Sequence, residues 1–186
     1  AQELEQIGLR DGSFFFDWGL SPSIEKVCLL IENDFCELQE VFDERKMYQH
    51  EDARNHYYSP LIDFHFFHDF DAHKALQTQL IDVADKYARR ALRLMSATES
   101  PTLFIRYIYN DNELEWINDN VERVRNAIKK RCSANGLLLI YDGLLENLGG
   151  LELLDWCWVF RTEKDEGETV SRHFLSQLAM NGVDLK

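Results

Sequence analysis

Basic residues are scarce in this chain: 20 Lys and Arg stand against 33 Asp and Glu, a formal net charge of −13 over 186 residues. So acidic a surface repels polyphosphate, which excludes nucleic acid as a partner unless a local basic patch forms. Long apolar runs are lacking too. None approaches the roughly 20 residues that span a bilayer, so no membrane partner is expected. The four cysteines, Cys28, Cys36, Cys132 and Cys157, include no Cys-x-x-Cys pair. Their scatter argues against a disulfide scaffold and a zinc site and fits a reducing, cytoplasmic compartment; no motif calls for a cofactor. Internal repeats, low-complexity stretches and a signal-peptide pattern are all missing. What remains is ordinary globular material, 45% hydrophobic and 28% charged, enough for one core in a single domain over 1–186.

Residues 61–70, Leu-Ile-Asp-Phe-His-Phe-Phe-His-Asp-Phe, alternate as a strand does. Ile62, Phe64 and Phe66 share one face; Asp63, His65 and Phe67 share the other. His68 continues the apolar parity, so the pattern predicts an imidazole turned inward where the strand stops, with Asp69 beside it. Asp71 stands where it would cap a long helix over 71–97. A histidine delivered inward next to a carboxylate suits general acid–base chemistry.

Spacing elsewhere predicts the tail of a helix over 1–7, ended by Gly8, and an aromatic loop or short strand over 12–19. Ser21-Pro22 opens a helix through Val27, Leu30, Ile31 and Asp34. A broken helix and a polar loop with His50 and His56 fill 35–60. The 71–97 helix carries Leu76, Leu80, Val83, Ala84, Tyr87, Ala91, Leu94 and Met95 on one arc. After a strand over 102–107, Asn112 and Glu115 form a capping box for a helix with its seam at Leu114, Ile117, Val121, Val124, Ile128 and Cys132. Apolar strands follow over 137–141 and 153–160, then a closing helix over 169–180. This order predicts an α/β fold, a mostly parallel mixed sheet covered by helices on both faces.

Six pieces occur in order: Ile7-Gly8-Leu9-Arg10; Ser13 ahead of Phe16-Asp17-Trp18; Glu32-Asn33-Asp34-Phe35; His68-Asp69-Phe70; Lys86-Tyr87 with Arg89-Arg90; and Leu103-Phe104-Ile105-Arg106. Together, over about residues 1–107, they resemble the bacterial domain family of unknown function described as "putative papain-like cysteine peptidases". The resemblance implies thiol-dependent acyl chemistry, hydrolysis or transfer, on a peptide or small-molecule substrate. Two departures stand out. The family has proline where this chain has Phe15. Its presumed nucleophile lies in a Ser-Leu-Gly-x-x-Cys segment at the start of its first helix, and Ala1 aligns just after it. The nucleophile is therefore expected upstream of Ala1, where a helix N-terminus would favour thiolate. A papain-type enzyme would also be α+β with an antiparallel barrel, whereas the second half here reads as βαβ units.

By that resemblance His68 is the general base, Asp17 or Asp69 the carboxylate that orients it, and Arg106 an anion or structural anchor; Arg106, Arg90 and Trp18 are the candidate substrate-binding residues. Each residue also has a plainer reading. His68 can be a satisfied structural histidine, with His65 on the opposite strand face and so no metal pair. Asp17 can be a turn aspartate bonding local amides. Arg90 borders the apolar arc beside Tyr87, while Arg89 falls opposite. Arg106, near the carboxyl end of its strand, can hold an anionic substrate or pair with Asp17, Asp69 or Asp142. Cys28, Cys132 and Cys157 read as core residues. An alternative function is a non-catalytic module binding a phosphate or nucleotide sugar at the Arg90–Arg106 edge. A third is a scaffold whose polar network only fixes the fold.

Overall fold

The computed structural model describes residues 12–51, 54–108, 110–142, 151 and 154–162. The helices expected over 1–7 and 169–180, and the piece Ile7-Gly8-Leu9-Arg10, lie outside those residues. The chain is a mixed α/β domain with two sheets rather than one. Strands β1 (Gly19–Leu20), β2 (Tyr48–Gln49), β3 (Tyr57–Ser59) and β4 (Phe64–Phe66) form a small antiparallel sheet in the order β1-β4-β3-β2. Strands β5 (Leu103–Ile108), β6 (Gly136–Asp142) and β7 (Cys157–Thr162) form a parallel sheet in that order. The expectation of one mostly parallel sheet is thus corrected. Its error lies in 35–60, read as a broken helix and a polar loop. The strands there are two or three residues long, too short to show a period, yet the His50 amide donates to the His56 carbonyl at 2.8 Å and closes a hairpin.

Helix α1 (Ile24–Glu32) starts two residues later than Ser21-Pro22 suggested. Ser23 caps it, its Oγ accepting from the Lys26 amide at 3.3 Å. A short α2 (Leu38–Val41) follows. The long helix α3 (Leu80–Ala97) does not begin at Asp71. Residues 71–79 instead form a compact turn closed by Gln79, whose side-chain oxygen accepts from the Asp71 amide at 2.6 Å while its amide donates to the Asp71 carbonyl at 3.1 Å. The helix expected after Asn112 divides at Asn120 into α4 (Asp111–Asp119) and α5 (Val121–Ile128). Its cap is Asn110, which accepts from the Glu113 amide at 3.0 Å. At the break, the Asn120 side chain donates to the Trp116 carbonyl at 2.9 Å, competing with the helix ladder.

Tyr87, fully buried on α3, is the hub of the core. The rings of Phe15, Phe42, Phe64 and Phe66 surround it at 5.1 to 5.9 Å. The same core continues through Leu114, Ile117, Val124 and Ile128 to Leu137, Leu139 and Cys157 on one face of the parallel sheet. Asn135, buried just before β6, ties three segments: its Oδ1 accepts from the Thr102 amide at 2.9 Å, and its Nδ2 donates to the carbonyls of Thr98 at 3.0 Å and Ile128 at 3.1 Å. Among the described residues, no helix is long and apolar enough to cross a membrane.

Candidate functional site

The small sheet places its polar side chains by strand alternation. Phe64 and Phe66 of β4 enter the core, and His65 between them faces away, opposite Tyr58 of β3. There His65 meets two histidines, His50 and His56, from the β2–β3 hairpin. The His56 Nε2 and His65 Nδ1 atoms lie 2.9 Å apart, a hydrogen bond that needs one nitrogen protonated and the other bare. His50 stacks on His56 with ring centres 4.4 Å apart. Phe67 lies against His56 at 4.4 Å and His65 at 6.0 Å, and its other neighbour is His68 at 6.3 Å. A band of four imidazoles therefore crosses the outer face of this sheet, from buried His56 to exposed His68. Sequence reading missed His50, His56 and His65 as a group because their strands are so short. The Tyr57-Tyr58-Ser59 alternation was the one signal that could have revealed the register.

His68 itself is exposed, which corrects the inward orientation. β4 ends at Phe66 and the backbone bends, so the two-residue alternation no longer applies beyond it. Asp69 turns inward instead, its side chain only 3% exposed. Its Oδ2 accepts from the Tyr87 hydroxyl at 2.7 Å, and its Oδ1 lies 2.6 Å from the Lys86 Nζ and 3.6 Å from Arg90. The Arg90 guanidinium also lies over the Tyr87 ring, 4.9 Å from its centre. Burial, then the Asp69 charge, pushes the Tyr87 phenol well above its usual range. Among the described residues no hydrogen bond joins Asp69 to His68; Asp69 is held by α3.

The Asp17 loop is organised locally as well. An Asp17 oxygen accepts from the Phe14 amide at 2.5 Å, and Trp18 donates its indole N–H to Ser13 at 2.9 Å. Arg93 of α3 clamps the Ser13 carbonyl with two donors at 3.0 and 2.7 Å. Phe15 is fully buried between Phe35, Phe64 and Tyr87. Because β1 runs antiparallel to β4, the residues before Gly19 and those after Phe66 leave the sheet at one end. Asp17, Trp18 and His68 therefore share that end.

Arg106 lies on the other sheet. Its Nε donates to the Glu113 Oε1 at 2.7 Å and its Nη2 lies 2.6 Å from the same oxygen, both side chains being largely buried. The partner among the described side chains is thus Glu113, in the first turn of α4. Arg90 and Arg106 each have a carboxylate, which favours the ion-pair reading over an open anion site.

A family model described as "Putative papain-like cysteine peptidase (DUF1796)" matches residues 1–138. The chain belongs to this family. The match runs beyond the six sequence pieces, through α5 and into β6. An uncharacterized protein of Acanthamoeba polyphaga mimivirus is 25% identical over 175 residues, covering 83% of this chain and 78% of that protein. No solved structure matches.

Against that family description, the two fully buried thiols, Cys28 and Cys157, are shifted away from activation. Burial, then Glu32, pushes the Cys28 thiol up to about 12, and burial pushes Cys157 up to about 11. A reactive thiol needs the opposite shift. Cys132 is half-buried, and Cys36 is exposed in the turn after α1. Among the described residues, no group of three His, Cys, Asp or Glu side chains has a metal-binding arrangement.

Proposed function

We propose that this chain carries the base of a cysteine-dependent hydrolase or acyltransferase, with His68 as that base and Asp17 as its orienting carboxylate. The observation that carries the reading is the shared sheet end: an exposed imidazole after β4 and a carboxylate just before β1, within a family described as cysteine peptidases. Exposure suits a base that must meet a substrate. The thiol, by the family pattern, belongs to the Ser-Leu-Gly-x-x-Cys segment preceding Ala1. His68 would take the thiol proton as sulfur attacks the acyl carbon, then return it to the leaving group. Water or a second nucleophile would release the acyl group from sulfur. Trp18, half-buried at the same end, is the substrate-facing aromatic.

The test is thiol labelling by an electrophilic acyl-type probe on a protein that carries the preceding segment and Cys36→Ser. His68→Ala should slow labelling at least about a hundredfold, the scale of a lost general base, and Asp17→Asn should slow it less. Labelling at the parental rate in His68→Ala overturns the assignment. The 2.9 Å His56–His65 contact favours a second base, His65, whose ring is held by a partner. Loss of labelling in His65→Ala alone would select it.

A further inference from the structure

Helix α3 keeps two large aliphatic side chains in water on the side away from Tyr87. Ile81 is 74% exposed and Leu92 62%. They stand eleven residues apart, about three turns and 16 Å of helix, so both fall on one line along its axis. Along one flank of that line come Asp82, Asp85, Arg89 and Arg93, all exposed. Arg93 holds the Ser13 carbonyl. Among the described residues, the side chains of Asp82, Asp85 and Arg89 have no hydrogen-bond or ion-pair partner. The helix dipole accounts for Asp82, in the first turn, and fades beyond it. It explains neither Asp85 nor Arg89, near the middle of the helix.

We propose that a second copy of this chain docks on that face, α3 against α3, running in opposite directions about a twofold axis. Such an interface has to be complementary to itself. An axis between positions 86 and 87 sets Ile81 opposite the partner's Leu92, and does so twice. It also brings Asp85 within one residue of the partner's Arg89, and Asp82 within two of the partner's Arg93. Because acids and bases share one flank of the aliphatic line, the twofold axis keeps them on the same side of the seam. A parallel pairing would instead set Asp85 on Asp85 and Arg89 on Arg89. Charge therefore selects the antiparallel direction. The aliphatic ends supply the contact, since exposed ion pairs add little affinity of their own. Half-buried Ala88, near the centre, is small enough to let the two backbones approach.

Sedimentation velocity of the full chain with Cys36→Ser tests this. Each copy carries −13, so the salt is set at about 0.15 M, where repulsion between copies is screened beyond roughly 8 Å. A reversible dimer should form below about 100 μM. Asp85→Arg and Arg89→Asp should each raise the dissociation constant at least about tenfold, because like charges then face each other. Mixed in equal amounts, those two variants should pair with one another, and the chain carrying both reversals should dimerise again. Leu92→Ser should also weaken the dimer at least about tenfold. A monomer throughout that range overturns the proposal. So does a dimer indifferent to Asp85→Arg and Leu92→Ser, which puts the interface elsewhere, or failure of the two reversed variants to pair. If a reversed variant melts below the parent, Ile81→Cys mixed with Leu92→Cys decides instead. A disulfide joining the two kinds of chain supports the register. Its absence, or a disulfide formed by Leu92→Cys alone, overturns it.

Discussion

Tyr87 and Asp69 join the small sheet to α3 through one hydrogen bond of 2.7 Å, closed away from water. Lys86 and Arg90, from the same helix, balance the carboxylate charge. Asp69→Ala would leave two cations and a buried phenol facing an empty site. The expected loss is about 3–5 kcal/mol of unfolding free energy. Asp69→Asn keeps an acceptor for Tyr87 and should lose less. Urea unfolding of the two variants checks the order, and a loss under about 1 kcal/mol in Asp69→Ala would contradict it.

Arg106 and Glu113 should behave as a coupled pair. Arg106→Met strands a carboxylate whose side chain is 3% exposed, at a cost of about 3 kcal/mol, and Glu113→Gln does the converse. The double variant should be more stable than the sum of the single losses implies. Strict additivity would remove the pair as an anchor and return Arg106 to the list of groups open to an anion.

Alkaline stability should report on Tyr58. Its hydroxyl donates to the Asp63 carboxylate at 2.8 Å. Burial first, then that hydrogen bond, pushes the phenol up to about 12 from an ordinary value of 10.0. A folded value above the unfolded one gives stability that is whole below pH about 10 and is lost as pH rises through about 12. Over that window the parent should lose stability more steeply than Tyr58→Phe. Parallel curves in pH-dependent thermal melts would sink the assignment.

His65 and His68 should separate by stability as well as by chemistry. His68→Ala, at an exposed position, should stay within about 0.5 kcal/mol of the parent. His65→Ala removes a ring bonded to buried His56 and should cost about 1–3 kcal/mol. Thermal denaturation of both variants gives the comparison.

Long-period signals were legible and short ones were not. The arc from Val83 to Leu94 gave α3 its buried side, and Arg90 was correctly set at its margin beside Tyr87. The strands at 103–108 and 136–142 followed from apolar runs. By contrast β2 and β3 offer two and three residues, less than two full alternations, so the hairpin bearing His50 and His56 read as a loop. His68 failed for a related reason: parity predicts a direction only while pairing lasts, and pairing stops at Phe66. The Glu113 partner of Arg106 lay seven residues away across a turn, where no periodic rule applies.

Asn135 has a consequence for the whole parallel sheet. By fastening the residue just before β6 to Thr102, just before β5, and to the ends of two helices, one amide sets which residues of β6 look which way. A slip of a single position would exchange the faces, turning Leu137 and Leu139 out of the main core and Leu138 and Ile140 into it. In a strand of near-uniform leucine and isoleucine the side chains themselves barely resist that exchange. The polar residue at its threshold acts as the index mark that the hydrophobic ones lack.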